Sequence, residues 1–369
     1  MESGQRLDLS SASHQDENRQ EEVIAGEHVS CPKVEDDEQS PIADKQQAIQ
    51  FGIVLNDLSA ELDFPVEMGN GWSMDRATPG EVEHIRRELH SIGRITRGTS
   101  NTDFSFLPYE SRIVTGPGGS LQRDWTLPRE EWRYTVVRIN SNMLGEFWKL
   151  TQALRISEAD IHIGGWINTT PGEKAYSTSI HHIECIHYLD VFGKGKGDTQ
   201  VPDLTQAQEV VSLRWQLDEV QFPEIARALA LFLQFDQIPD NFDAKLLGHF
   251  TVLESLLSHQ PDPNDPVDSI SKQLRRNLIL LDHRMPNGQN LGLANFRDAT
   301  PKQVISQLYA VRSAAAHGGD NQKPLQWINS RKPGDWGLLG TVHQFVERVT
   351  SRVLVAALKE PQLITDLKG

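Results

Sequence analysis

At 369 residues and 38% hydrophobic, with eight Trp and thirteen Phe, the chain is long enough to build two or three domains with real cores. A net charge of −15 excludes the uniformly basic surface of a dedicated DNA-binding protein. No run of 18 apolar residues and no apolar N-terminal segment occurs, so no membrane span, no secretory leader and a cytoplasmic location are expected.

The charge is unevenly spread. Residues 1–45 hold 12 acids and 4 bases, with Glu35, Asp36, Asp37 and Glu38 in a row and no aromatic residue. Such a segment buries too little apolar area to offset its ordering entropy, which predicts a disordered acidic tail. Residues 241–369 hold 12 acids and 15 bases, a balance that permits contact with phosphate. Cys31 lies in the tail and Cys185 far from it, which predicts reduced thiols and no structural disulfide.

From 46 to about 220 the pattern is mixed. Gln50 to Leu55 predicts a strand, and so does Tyr134 to Ile139. Thr78 to Leu89 predicts a helix, with Thr78 as cap, Pro79 in the first turn and Glu81 three residues after the cap. Gly116-Pro117-Gly118-Gly119 reads as a turn, since it lacks the Lys-Ser/Thr that completes a phosphate loop. Thr178 to Leu189 alternates like a strand, and Lys194 to Asp198 reads as a loop. His181, His182, Glu184 and His187 look like metal ligands in a list, but a strand puts His182 and Glu184 on the face opposite His181 and His187. The two outer histidines would stand roughly 20 Å apart by strand rise, so no metal site is expected.

After Pro223 the pattern becomes helical throughout. Amphipathic helices are predicted from Pro223, over Asp243–Leu257, Ser269–Asp282, Thr300–His317 and Thr341–Leu358, and their short connections predict an antiparallel bundle. The fourth of these carries Arg312 and His317, followed by Gly318, which suits a helix end. A permanently charged, bidentate guanidinium beside a protonatable imidazole suits a phosphodiester: the first holds phosphoryl oxygens, the second moves a proton. The bland alternative is a structural ion pair at Arg312 and a helix cap at His317. Spacing sets a limit, because residues five apart on an ideal helix point about 140° apart and do not share a face. Glu254, set among leucines, either orients Arg312 or His317 or stands on the polar face of its helix. Lys272, Arg275 and Arg276 form a basic face, either solvated or in contact with an RNA backbone.

Arg312-Ser313-Ala314-Ala315-Ala316-His317 resembles the Arg-x4-6-His signature of the HEPN superfamily. His249 to Leu257, with its Leu253-Glu254-Ser255-Leu256-Leu257, resembles a helix of the Apea-like branch, as do Ile270 to Leu274 and Leu308 to Arg312. The resemblance covers residues 222–358. It implies an α+β chain in which a mixed α/β domain (46–220) precedes an all-α HEPN-type bundle (221–369) that dimerises. It further implies metal-independent endoribonuclease activity, with Arg312 and His317 catalytic, no cofactor, and a role in microbial defence or stress response. Some members instead bind nucleotide, RNA or a protein partner without cleaving. Active members often carry Asn, Asp or His directly after the Arg, where this chain has Ser313, whose hydroxyl supplies neither a charge nor an amide.

Overall fold

The computed structural model describes residues 49–56, 58, 62–87, 110, 112–115, 121–124, 127–139, 146–169, 176–178, 204–238, 242–261, 269–286, 288–332 and 337–368. The acidic tail, both cysteines, the glycine turn at 116–119, most of the strand expected over 178–189 with its histidines, and the loop at 194–198 lie outside them. The chain divides into two units, Met1–Lys45 and Gln46–Gly369; the described residues all belong to the second.

Its N-terminal part is an antiparallel sheet. The strands are β1 (Ile49–Val54), β2 (Val66–Gly69), β3 (Trp72–Arg76), β6 (Thr135–Ile139), β7 (Ile163–Thr169) and β8 (Tyr176–Thr178), in the order β2-β3-β6-β1-β7-β8. β4 (Arg112–Thr115) and β5 (Leu121–Asp124) pair as a separate hairpin. Alternation along β1 decides which core each residue joins. Phe51, Ile53 and Leu55 pack with Val82, Ile85, Tyr134, Val136 and Ile167 beneath a helix over 79–87 (α1). Val54 faces the other way, into a core shared with Trp72, Met74, Val137 and Trp166. The register of β1 against β7 shifts between Ile53 and Val54, and this irregularity lets Ile163 and Trp166 enter the same core. The expected start of α1 is present: Thr78 N–H donates to Glu81 Oε2 at 2.7 Å and Glu81 N–H to Thr78 Oγ1 at 3.4 Å.

Nine further α-helices are described. They are α2 (Phe147–Ile156), α3 (Leu204–Gln216), α4 (Pro223–Asp236), α5 (Asp243–Leu257), α6 (Ile270–Arg284), α7 (Pro301–His317), α8 (Gln322–Arg331), α9 (Gly337–Lys359) and α10 (Pro361–Lys368). The class is α+β, as expected. Helices α4 to α7 match the periodicity closely, and α9 extends the expected Thr341–Leu358 at both ends. Four helices were not anticipated: α2 and α3 lie before the expected boundary at 220, while α8 and α10 are short pieces of eight to ten residues. One hydrophobic core runs from Val54, Trp72 and Trp166 of the sheet through Leu150 and Val210 to Phe250, Leu278, Val311 and Leu354 of the helices. Sheet and helices are therefore layers of one core. No helix among the described residues is long and apolar enough to cross a membrane.

Candidate functional site

α7 begins with a reciprocal cap, Thr300 Oγ1 accepting from the Gln303 N–H and the Gln303 side chain accepting from the Thr300 N–H, with Pro301 in the first turn. It ends where Gly318 adopts φ 68°, a left-handed conformation that glycine takes without a Cβ penalty. Gly319 N–H then donates to Ala314 O at 2.9 Å. Val304, Ile305, Leu308 and Val311 hold the helix to the core. This anchoring turns Arg312 toward α5 and leaves His317 exposed in the last turn.

Arg312 Nη2 donates to Glu254 Oε2 at 3.2 Å; the two side chains are 24% and 17% exposed. The guanidinium carbon stands 5.6 Å from the centroid of the Tyr309 ring, one turn earlier, and that ring packs edge-on against Phe250 of α5 at 6.1 Å. Burial pushes the Tyr309 hydroxyl above its ordinary value, and the nearby Glu254 carboxylate adds to the rise while Arg312 opposes it. Arg312 Nε and Glu254 Oε1 are closed off from solvent without a hydrogen-bond partner among the described residues. The pair is thus held by packing from below and is incompletely satisfied. It presents one oriented cation and one carboxylate at the edge of the helical core.

Of the two readings for Glu254, the geometry favours the partner of Arg312. It does not bring His317 to them: no hydrogen bond or ion pair joins His317 to either residue among those described, in keeping with the angular offset of their positions on one helix. Ser313 is half-buried next to Arg312. On α6, Lys272 and Arg276 are exposed and Arg275 is half-buried. Arg275 Nη1 donates to Ser306 Oγ at 3.4 Å and Arg276 Nε to Asn277 Oδ1 at 3.1 Å, so two of these three cations already have polar partners within the bundle. Among the described residues no group of three or more His, Cys, Asp or Glu is placed to hold a metal ion.

A larger charged cluster lies elsewhere, where α2, α4, α5 and α9 meet. Arg155, 3% exposed, donates through Nε to Asp236 Oδ2 at 2.5 Å and through Nη2 to Glu347 Oε1 at 2.7 Å, and it also pairs with Asp160. Lys245 Nζ reaches Asp236 Oδ1 at 3.3 Å. Burial alone would raise the Asp236 carboxyl, yet Arg155 and Lys245 hold it well below the usual range; the same balance, led by Lys245, lowers Glu347. His249, one turn after Lys245, is 1% exposed and among the described residues has no hydrogen-bond partner on either ring nitrogen. Burial pushes its pKa down to about 4, against the pull of Glu347. Sequence reasoning missed this cluster, although a signal existed. Lys245 and His249 fall at helical spacing with Val252 and Leu256 on a face of α5 that is buried, so their polarity on that face calls for buried partners.

Comparison with protein-family models, with curated proteins and with solved structures finds no match to this chain.

Proposed function

We propose that the chain is a metal-independent endoribonuclease of the HEPN type, acting as a homodimer in the cytoplasm in microbial defence or stress response. The observation that carries the reading is the oriented Arg312, fixed by Glu254 and the Tyr309 ring on the same helix whose exposed last turn bears His317. In the proposed reaction Arg312 binds the non-bridging oxygens of a phosphodiester and stabilises the charge that develops on them. The adjacent 2′-hydroxyl attacks phosphorus and the 5′-oxygen leaves, giving a cyclic phosphate and a 5′-hydroxyl. His317 serves as the proton carrier, taking the 2′ proton or supplying one to the leaving oxygen. Because one helix does not bring both groups together, the His317 that completes a given site comes from the second subunit.

The test is cleavage of single-stranded RNA with EDTA present. Wild type should cleave and leave cyclic phosphate ends; His317→Ala should retain its circular dichroism spectrum and melting temperature and lose activity by at least roughly a hundredfold, the usual worth of a general acid or base. Cleavage that needs a divalent metal, or that survives His317→Ala, refutes the mechanism. A second reading, a non-catalytic module that binds RNA, nucleotide or a protein partner, is favoured by one observation: a carboxylate already occupies part of the Arg312 fork. RNA binding without cleavage would select it.

A further inference from the structure

Three cations from two adjoining segments gather on one surface. Lys332 follows α8, its N–H donating to Ile328 O at 2.9 Å. Its ammonium stands 4.4 Å from the centroid of the Phe345 ring and 5.1 Å from that of Phe296. Those two rings are buried and pack edge to face at 5.0 Å. The lysine stem thus lies on an apolar wall with its head at the rim. Arg348 and Arg352 stand one turn apart on α9. Burial first, then repulsion from these two arginines, pushes the Lys332 pKa down to about 8. Among the described residues no carboxylate pairs with Lys332 or Arg348. Arg352 is anchored, with Nε on Glu158 at 2.7 Å, Nη2 donating to Gly288 O at 3.2 Å, and Nη1 donating to Asn290 O. Arg331, just before Lys332, lies over the Trp327 ring at 4.2 Å.

The whole chain carries a net charge of −15, so carboxylates are plentiful, yet among the described residues only Glu158 pairs with these three cations. Like charges held together oppose folding, and a bound anion relieves that cost. We infer that Lys332, Arg348 and Arg352 form a binding site for a phosphate group. Arg352 is its fixed charge, Lys332 its compact donor, and the exposed Arg348 the arm that completes it. A phosphate brings enough negative charge and enough acceptor oxygens to answer one lysine and two arginines together, which a single carboxylate does not. The group arrives on a free phosphomonoester or within a polynucleotide backbone, since both present the same oxygens. The site is independent of Arg312 and His317: a chain that cleaves no RNA would still bind phosphate here.

The experiment uses the full chain with its lysines reductively ¹³C-methylated, the Lys332 signal being assigned by its loss in Lys332→Met. In chloride buffer Lys332 should titrate near the pKa of about 8, and saturating inorganic phosphate should move that midpoint upward by roughly one unit. Arg348→Gln should weaken phosphate binding about tenfold, the scale of one charge-assisted contact. Lys332→Met, which keeps the apolar stem and removes one of the repelling charges, should melt at or above the wild-type temperature and not bind. Adenosine monophosphate and a short single-stranded RNA, titrated in parallel, distinguish the sources. Tighter binding of the RNA, weakening as salt rises, assigns the backbone; equal binding of phosphate and nucleotide with no gain from the RNA assigns the free ester. A Lys332 signal that none of the three ligands moves, or an Arg348→Gln variant that binds phosphate as wild type does, overturns the site.

Discussion

Glu254 and Arg312 are partly exposed, and the energy of such a pair is modest, about 1 kcal/mol or less after solvent screening. The chemical consequence is larger than the energetic one, because the carboxylate and an incoming phosphate seek the same guanidinium nitrogens. Glu254→Gln keeps a hydrogen-bond acceptor and removes the charge. It should tighten RNA binding by about fivefold, the equivalent of releasing about 1 kcal/mol of competing ion pair, as read by fluorescence anisotropy. Weaker binding would mean that Glu254 serves chiefly to aim Arg312. His249 poses a different residue-scale problem. Its folded pKa of about 4 lies below the ordinary 6.5, so between those values the unfolded chain binds more protons than the folded one. Stability is therefore complete above pH 6.5 and falls as the pH falls toward 4, by on the order of 3 kcal/mol from this group. Asp236 and Glu347, lowered by their cationic neighbours, add losses of the same sign at lower pH. Urea midpoints measured from pH 7 to 4 should decline for wild type and decline less steeply for His249→Leu, most clearly between pH 6 and 5. Parallel slopes would show that His249 is not the group responsible.

At the scale of elements, two close approaches set how the layers meet. A Cβ on Gly248 of α5 would stand 2.2 Å from Cγ of Phe235 in α4, so the two helices pack at a distance that only glycine permits. Gly248→Ala gains up to about 1 kcal/mol of helix propensity, but the clash forces the helices apart. The net result should be destabilisation by about 1–3 kcal/mol, measurable as a lower denaturation midpoint with the far-ultraviolet spectrum unchanged. A variant as stable as wild type would show that Phe235 can turn away freely. Gly52 of β1 acts similarly in the sheet, where a Cβ would meet the Trp166 indole at 3.0 Å. That indole packs edge-on against Trp72 at 5.4 Å and lies 5.5 Å from Phe147 of α2, which joins the sheet to the helices. Arg155 ties α2 onward to α4 and α9, and removing it would leave Asp236 and Glu347 short of a buried counter-charge.

At the scale of the molecule, the separation of Arg312 and His317 around one helix makes the proposed activity a property of a pair of chains. Light scattering at micromolar concentration should give twice the 41.5 kDa chain mass. Arg312→Ala and His317→Ala, each inactive alone, should recover part of the wild-type activity when co-refolded, because one of the two shared sites in a mixed dimer keeps both native groups. Mixtures that stay inactive while forming mixed dimers would place both residues of a site on one chain. The phosphate site at Lys332 makes the opposite forecast, since all its residues belong to one subunit and its occupancy does not depend on dilution.

Local signals carried much of this into the sequence. Thr300, Pro301, Gln303 and Gly318 bound α7 through chemistry that acts within a few residues, and the spacing of Leu246, Phe250, Leu253 and Leu257 marks the buried side of α5. The strands β1 and β6 were legible for the same reason. α2 was not, because Leu150 to Ile156 are all buried, the polar Thr151, Gln152 and Arg155 among them, so polarity there does not mark an outer side. α3 does keep an exposed side at Thr205, Glu209, Ser212 and Gln216, a signal the sequence reading passed over. Tertiary structure alone decided three things. It joined sheet and helices in one core across the expected boundary at 220, set Glu254 on Arg312 across 58 residues of chain, and gathered Arg155, Asp236, Lys245 and Glu347 from four helices. Each is a pairing of charges or apolar faces distant in sequence, and the free energy of such a contact depends on which surfaces the folded chain removes from water together.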